Sequence, residues 1–106
     1  MLQVDIDSKR KRTNPKEIIK TVSDVFDIKV SELTGKRRTQ YIALARQSAM
    51  YLMREELELP LEKIAHSVNR KDHTTVIHAC SKISELTVND DAFKEQLSEC
   101  KNKLYS

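Results

Sequence analysis

The fold is decided by residues 69–86, which read N-R-K-D-H-T-T-V-I-H-A-C-S-K-I-S-E-L. Asp72 is a good helix N-cap, because its carboxylate can accept from the free backbone amides of the first turn and its charge suits the positive end of a helix. Counted from that cap, the apolar residues recur at helical spacing on one face: Val76, Ala79, Cys80, Ile83 and Leu86. We therefore predict a helix after Asp72 whose first turn exposes His73, Thr74 and Thr75.

A shorter helix is predicted just before it. Residues 61–68, L-E-K-I-A-H-S-V, form an amphipathic run, and the preceding proline is tolerated at a first turn. Asn69 follows, and asparagine readily takes the left-handed conformation that ends a helix. Two helices joined by so short a turn, with Arg70 and Lys71 ahead of a polar helix start, form a helix-turn-helix or an ordinary helical hairpin. The spacing alone leaves both open.

Four further helical segments are predicted from caps and apolar spacing. We expect them to begin at Asn14 and Pro15, at Ser31, at Thr39, and at Asn89 or Asp90. Ser31 is expected to cap a single turn that Gly35 ends, and the segment from Thr39 is the longest, reaching Leu57. The residues expected to face the core are Ile18, Val22, Val25, Phe26, Val30, Leu33, Ile42, Ala45, Ala49, Leu52, Met53, Phe93, Leu97, Cys100 and Leu104.

Composition favours a small helical module with a polyanionic partner. The chain has 106 residues, one glycine and two prolines, which suits one domain built of helices. Its net charge of +3 is uneven, because Lys and Arg outnumber Asp and Glu in residues 1–53 and the reverse holds afterwards. The cations cluster in residues 9–12, in residues 36–38 with Arg46, and at Arg70 and Lys71. Three such clusters beside a candidate recognition helix favour nucleic acid over a merely solvated surface.

Several other classes of protein are disfavoured. The three histidines, at positions 66, 73 and 78, lack the spacing of metal ligands on one helical face, and there is no Cys-x-x-Cys pair. A single glycine leaves no Gly-rich phosphate loop. We therefore predict no metal, no cofactor in this domain and no enzymatic activity. The sequence shows neither a hydrophobic signal core nor an apolar segment long enough to span a membrane, so we expect a cytoplasmic, nucleoid-associated protein.

The sequence resembles the C-terminal DNA-binding domains of the bacterial replication initiator DnaA family. Residues 71–83, K-D-H-T-T-V-I-H-A-C-S-K-I, are similar to the family signature G-G-R-D-H-T-T-V-x-H-A-x-x-K-I in all but its first part. Residues 28–38, I-K-V-S-E-L-T-G-K-R-R, and residues 45–50, A-R-Q-S-A-M, are similar to further family stretches in the same order. The resemblance covers about residues 15–104.

The resemblance implies an all-α compact bundle of about five to six helices containing a Trp-repressor-like helix-turn-helix. Residues 14–106 would be the DNA-binding domain and residues 1–13 a basic linker or arm. The implied function is sequence-specific binding of double-stranded DNA at initiator boxes in a replication origin, with one domain binding one box as a monomer. Full-length initiators also carry an ATPase domain, so ATP is expected only if such a domain precedes this one.

The resemblance and the residue chemistry assign roles to individual side chains. Asp72, His73, Thr74 and Thr75 would face base edges in the major groove, with Asp72 mainly a helix cap and secondarily a base contact. The matching minor-groove residues are Lys36, Arg37 and Arg38, which we call the basic loop. The expected phosphate contacts are Arg46, Gln47, Arg70, Lys71 and Lys82. His78 is expected to be packed rather than to read bases.

Two departures from the family affect these assignments. Asn69 and Arg70 stand where the family usually has two glycines, and Lys71 replaces its arginine. A phosphate contact there is therefore expected to be lost or moved. Leu44 and Ala45 replace the usual Arg-Pro before Arg46 and Gln47, so the base preference can differ too.

Other functions compatible with the sequence are a stand-alone helix-turn-helix transcriptional regulator, a transposase targeting domain and a protein-interaction module. Residues 1–13 are either a solvated tail or an arm that touches phosphates or acidic phospholipid. The basic residues of this arm favour a fragment of a larger initiator over a stand-alone protein.

Overall fold

A computed structural model describes residues 13–36 and 39–105, and every regular element in these ranges is a helix. The six helices are α1 (Pro15–Phe26), α2 (Val30–Leu33), α3 (Gln40–Leu57), α4 (Leu61–Ser67), α5 (His73–Asn89) and α6 (Asp91–Tyr105). The prediction of an all-α bundle of five to six helices is confirmed. No helix in the described ranges has the length and apolar character needed to cross a membrane.

Local caps fix where several helices begin. Asn14 precedes α1, and its Oδ1 accepts a hydrogen bond from the Glu17 amide at 3.0 Å. Asp90 precedes α6, and its Oδ1 accepts from the Phe93 amide at 3.1 Å. Both caps follow the sequence prediction.

The predicted start of α2 is wrong by one residue. The helix begins at Val30 with Lys29 in the N-cap position, so Ser31 lies inside the turn and caps nothing. A four-residue helix can direct only one side chain into the core, and that side chain is Leu33, which is fully buried. Val30 therefore lies on the outer side, 45% exposed, rather than in the core.

The core lies around α3, which packs most extensively against α5. Small residues on the inner face of α3, Ala45 and Ala49, allow this close approach and are fully buried. Most of the residues that were expected to face inward are buried: Ile18, Val22, Phe26, Leu33, Ile42, Ala45, Ala49, Leu52, Met53, Val76, Ala79, Ile83, Phe93, Leu97 and Cys100. The partly buried Val25, Cys80, Leu86 and Leu104 pack against the edge of this core.

The pair α4 and α5 forms the predicted helix-turn-helix. Asn69 has φ 58°, so it takes the left-handed conformation that ends α4. The Asn69 amide donates to His66 O at 3.1 Å and the Arg70 amide donates to Ala65 O at 2.8 Å. These two bonds are the Schellman arrangement, which satisfies the last carbonyls of a helix. The turn is therefore a defined structure that holds α4 against α5.

Candidate nucleic-acid interface

The N-terminal end of α5 presents consecutive polar side chains to solvent. The Asp72 Oδ1 accepts from the Thr74 amide at 2.9 Å, so the predicted cap is present. Asp72, His73, Thr74 and Thr75 are all exposed. We call residues 72–75 the tip. Because Asp72 uses one carboxylate oxygen for the cap, its other oxygen stays available as an acceptor.

The outer face of α5 continues from the tip. Thr75, His78 and Lys82 follow one another at helical spacing, and all three are exposed. The expectation that His78 is packed is therefore wrong. His78 lies two positions after the buried Val76, which is a rotation of about 200° around a helix, so it points away from the core.

Ile77 is a large apolar residue that the sequence pattern does not assign to the site. Its side chain is 51% exposed and lies one turn after His73. Helical spacing was the signal that could have shown its exposure, because position 77 does not lie on the face that carries Val76, Ala79 and Ile83. An exposed isoleucine beside polar residues offers an apolar contact at the same surface.

The turn before α5 reaches across to the chain just ahead of the basic loop. The Asn69 Nδ2 donates to Thr34 O at 3.1 Å. The Arg70 Nη2 donates to Gly35 O at 2.9 Å. We call these two bonds the turn–loop contact. The basic loop therefore starts next to the helix-turn-helix turn, although the two residues of each bond are 35 positions apart in the sequence.

The cations of this end of the molecule differ in accessibility. Lys36, Lys71 and Lys82 are exposed, as phosphate or groove contacts would require. Arg70 is half-buried, and its Nη1 also donates to Val68 O at 3.1 Å and Asn69 O at 3.2 Å. Its guanidinium is therefore directed at main-chain carbonyls of the protein. Arg37 and Arg38 lie outside the described residues.

Arg46 does not lie at the surface, contrary to what its predicted phosphate contact needs. Its side chain is 6% exposed, its Nε donates to Leu33 O at 2.7 Å and its Nη2 donates to Glu32 O at 3.3 Å. Burial, and secondly the positive charge of Arg70, lower the pKa of Arg46 below its usual value. The guanidinium therefore holds the end of α2 from inside. With only 6% of its surface exposed, the side chain offers little area to a phosphate.

Gln47, the other predicted phosphate contact on α3, is half-buried. Within the part of the chain that the structure describes, its Oε1 is a buried oxygen without a hydrogen-bond partner.

Together these elements place acceptors, donors, an apolar side chain and lysines around the tip. This is the chemistry of binding to base edges and phosphates. Residues 13–36 and 39–105 contain no group of three or more His, Cys, Asp or Glu residues that could hold a metal ion.

Comparison with known proteins places this arrangement in a family. Residues 15–83 match the family model described as the bacterial dnaA protein helix-turn-helix. The chain belongs to this family. The matched region runs from the first residue of α1 to the last buried residue of the α5 stripe, Ile83, and so contains both the helix-turn-helix and the approach to the basic loop.

Several relatives carry the name chromosomal replication initiator protein DnaA. The chain is 42% identical over 91 residues to that of Crocosphaera subtropica. It is 38% identical over 91 residues to those of Rippkaea orientalis and Nostoc punctiforme. In each case the match covers 86% of this chain and 20% of the relative, so the chain spans about a fifth of their length.

Membership of the bacterial dnaA helix-turn-helix family supports a DNA-binding role for this chain. It also points to a binding domain rather than a catalytic one.

Proposed function

We propose that this domain recognises initiator boxes in the duplex DNA of a replication origin, with the tip of α5 in the major groove. The observation that carries the proposal is the capped tip itself. Residues 72–75 are four consecutive exposed polar residues at the start of a helix whose opposite face packs into the core through Val76, Ala79 and Ile83. In a helix-turn-helix, the N-terminal residues of the second helix contact the base edges.

Each tip residue suits a particular base group. His73 and the two threonines can donate to or accept from base edges, and a threonine methyl or Ile77 can pack against the methyl group of thymine. Asp72 caps with one oxygen, and the other can accept from the amino group of cytosine. Each good bidentate base contact is worth about 1–3 kcal/mol of discrimination between bases.

The surrounding cations would set affinity and register. Lys36, Arg37 and Arg38 are proposed to enter the adjacent minor groove, where a narrow groove concentrates negative potential. Lys71, Lys82 and Gln47 are proposed to contact phosphates, which contribute affinity but no base information. Arg70 would add its charge, and we assign Arg46 to holding α2. One domain would bind one box as a monomer, in the cytoplasm on the nucleoid.

A binding titration tests this proposal. The domain is titrated with a duplex bearing one initiator-type box and with a scrambled duplex of equal composition, at about 50 and about 200 mM salt. We expect a strong preference for the box and weaker binding to both duplexes at the higher salt. The substitution Thr75→Ala should reduce the preference by about tenfold, which corresponds to losing one base contact.

Lys101→Ala is the matched control, because the exposed Lys101 lines a depression with Thr87, close to the other end of α5. Fourteen residues of helix separate Thr87 from His73, a distance of about 21 Å. This variant should retain the box preference. Equal loss on both duplexes in Thr75→Ala would remove Thr75 as a base contact. Equal binding of the unmodified domain to both duplexes would contradict box recognition and favour another DNA-binding role on this scaffold.

A further inference from the structure

The end of α2 is held by side chains from two other parts of the chain. Arg46 of α3 accounts for the carbonyls of Glu32 and Leu33. Asn69 and Arg70 of the helix-turn-helix turn account for the next two carbonyls, at positions 34 and 35. Four consecutive carbonyls, from residue 32 to residue 35, therefore accept hydrogen bonds from three side chains.

This arrangement matters because α2 cannot hold its own position. The helix has four residues, whereas an isolated helix needs about 12–15 residues to be even marginally stable. The carbonyls at a helix end have no partner within the helix and favour nearby positive charge. Bonds from a guanidinium to a carbonyl are stronger than bonds between neutral groups. The three side chains therefore decide where the chain leaves α2 and enters the basic loop.

Gly35 narrows the choice of backbone path further. A Cβ atom at this position would lie 2.7 Å from Ser31 O, a distance that real Cβ atoms do not adopt. Position 35 is thus closed to side chains, and its carbonyl is the one that Arg70 binds at 2.9 Å. The tight backbone and the guanidinium specify one course of the chain up to Lys36.

We propose that Asn69 and Arg70 are positioning residues that fix Lys36, the first residue of the basic loop, relative to the tip, so that its minor-groove contact and the major-groove contacts form together in one register. The proposal rests on the proposed function of the tip and of the basic loop. It assigns Arg70 to protein carbonyls rather than to a phosphate.

The electrostatics of the site fit this role. Burial and, secondly, the positive charge of Arg70 lower the pKa of Arg46, so these two cations repel each other beside the same main-chain segment. Their mutual repulsion is opposed by the carbonyls of residues 32–35.

The experiment uses variants that keep the turn intact. Asn69→Gly removes only the amide donor, because glycine adopts the left-handed conformation without strain. Arg70→Lys keeps the charge and loses the planar fork of the guanidinium. Lys71→Ala is the matched control, since it removes a neighbouring exposed cation that takes no part in the turn–loop contact.

The first measurement is made without DNA. Backbone ¹⁵N relaxation reports the order of the amides of Gly35 and Lys36 in the free domain. We expect native-like order in Lys71→Ala and a clear loss of order in Asn69→Gly, in Arg70→Lys and most of all in the double variant. Unchanged order in the double variant would overturn the proposal, whatever the DNA result.

The second measurement is a double-substitution cycle on the box duplex. In the native background, the double variant Lys36→Ala with Thr75→Ala should lose less affinity for the box than the product of the two single fold-losses. The reason is that either substitution alone already disturbs contacts that form as a unit. In the Arg70→Lys background the two losses should multiply. Arg70→Lys alone should weaken box binding about tenfold and scrambled binding less than twofold. If the two losses of affinity already multiply in the native background, the shared register is refuted. If the native domain shows no preference for the box, the proposed function is refuted. The relaxation result still decides the turn–loop contact in that case.

Discussion

Replacing Arg46 with methionine separates a structural role of this side chain from a role in DNA binding. Methionine keeps an unbranched apolar stem and removes the guanidinium. The carbonyls of Leu33 and Glu32 then lose donors at 2.7 and 3.3 Å. The Glu32 carbonyl keeps the Gly35 amide as a donor at 3.3 Å, so the loss falls mainly on the Leu33 carbonyl.

The magnitude follows from the two bonds. A hydrogen bond that involves a charged group contributes about 1.5–3 kcal/mol, and the longer bond contributes less. Removing the cation also relieves its burial, which lowers the pKa of Arg46 in the native protein. We therefore expect Arg46→Met to lower the free energy of unfolding by about 2–4 kcal/mol. For a domain of this size the melting temperature should fall by about 10–25 °C.

Two assays are needed. Urea unfolding followed by far-ultraviolet circular dichroism gives the stability. Titration of scrambled DNA at several salt concentrations gives the slope of the logarithm of the binding constant against the logarithm of salt concentration. That slope should be unchanged in Arg46→Met, measured at a temperature where the variant is folded. Lys82→Ala is the control, and its slope should become shallower by about 0.9 while its stability changes by less than about 0.5 kcal/mol.

The opposite pattern would refute this reasoning. If Arg46→Met kept native stability and its salt slope became shallower by about 0.9, the guanidinium would be a phosphate contact and its bonds to α2 would be dispensable.

Three further predictions concern other sites. Asp72→Asn should change the free energy of unfolding by less than about 0.5 kcal/mol because asparagine caps as well as aspartate, whereas Asp72→Ala should lower it by about 1 kcal/mol. The base preference of Asp72→Asn is measured by competition with duplexes altered at single base pairs. A changed preference would show that the free carboxylate oxygen contacts a base. Burial raises the pKa of the Cys100 thiol to about 11, so from pH 9 to 11 the unfolded chain loses this proton while the folded chain keeps it. The free energy of unfolding should therefore fall by about 2 kcal/mol across that window, and Cys100→Ala should abolish this part of the pH dependence in urea titrations. Glu58 ends α3 with φ 52°, so Glu58→Gly should raise the unfolding free energy by about 0.5–1 kcal/mol, and a loss of stability would show that the side chain makes a compensating interaction.

The features that sequence predicted well depend on neighbours along the chain. Asn14, Asp72 and Asp90 act within three residues of themselves, and Asn69 ends the helix that immediately precedes it. The apolar stripes were equally accessible because helical spacing alone decides which residues share a face. The family signature then distinguished a DNA-binding helix-turn-helix from an ordinary hairpin, which spacing could not do.

The features that sequence missed depend on distant parts of the chain. An arginine in a basic stretch is normally exposed, and nothing near Arg46 in sequence shows that carbonyls thirteen residues earlier lie within its reach. The turn–loop contact joins positions 35 residues apart. The only local sign of it in the sequence was the presence of two polar side chains, Asn69 and Arg70, in a turn where the family resemblance implies glycines. Val30 was misplaced because a four-residue helix is too short for periodicity to assign its faces.

The turn–loop contact has a consequence for how this domain can change its preference. All the acceptors that Asn69, Arg70 and Arg46 use in residues 32–35 are main-chain carbonyls, which every residue type possesses. Side chains in the basic loop can therefore be exchanged without removing any of these bonds. Natural variation or a combinatorial library at residues 36–38 could sample new groove chemistries on a scaffold whose geometry is held from elsewhere, with Gly35 as the position to leave untouched.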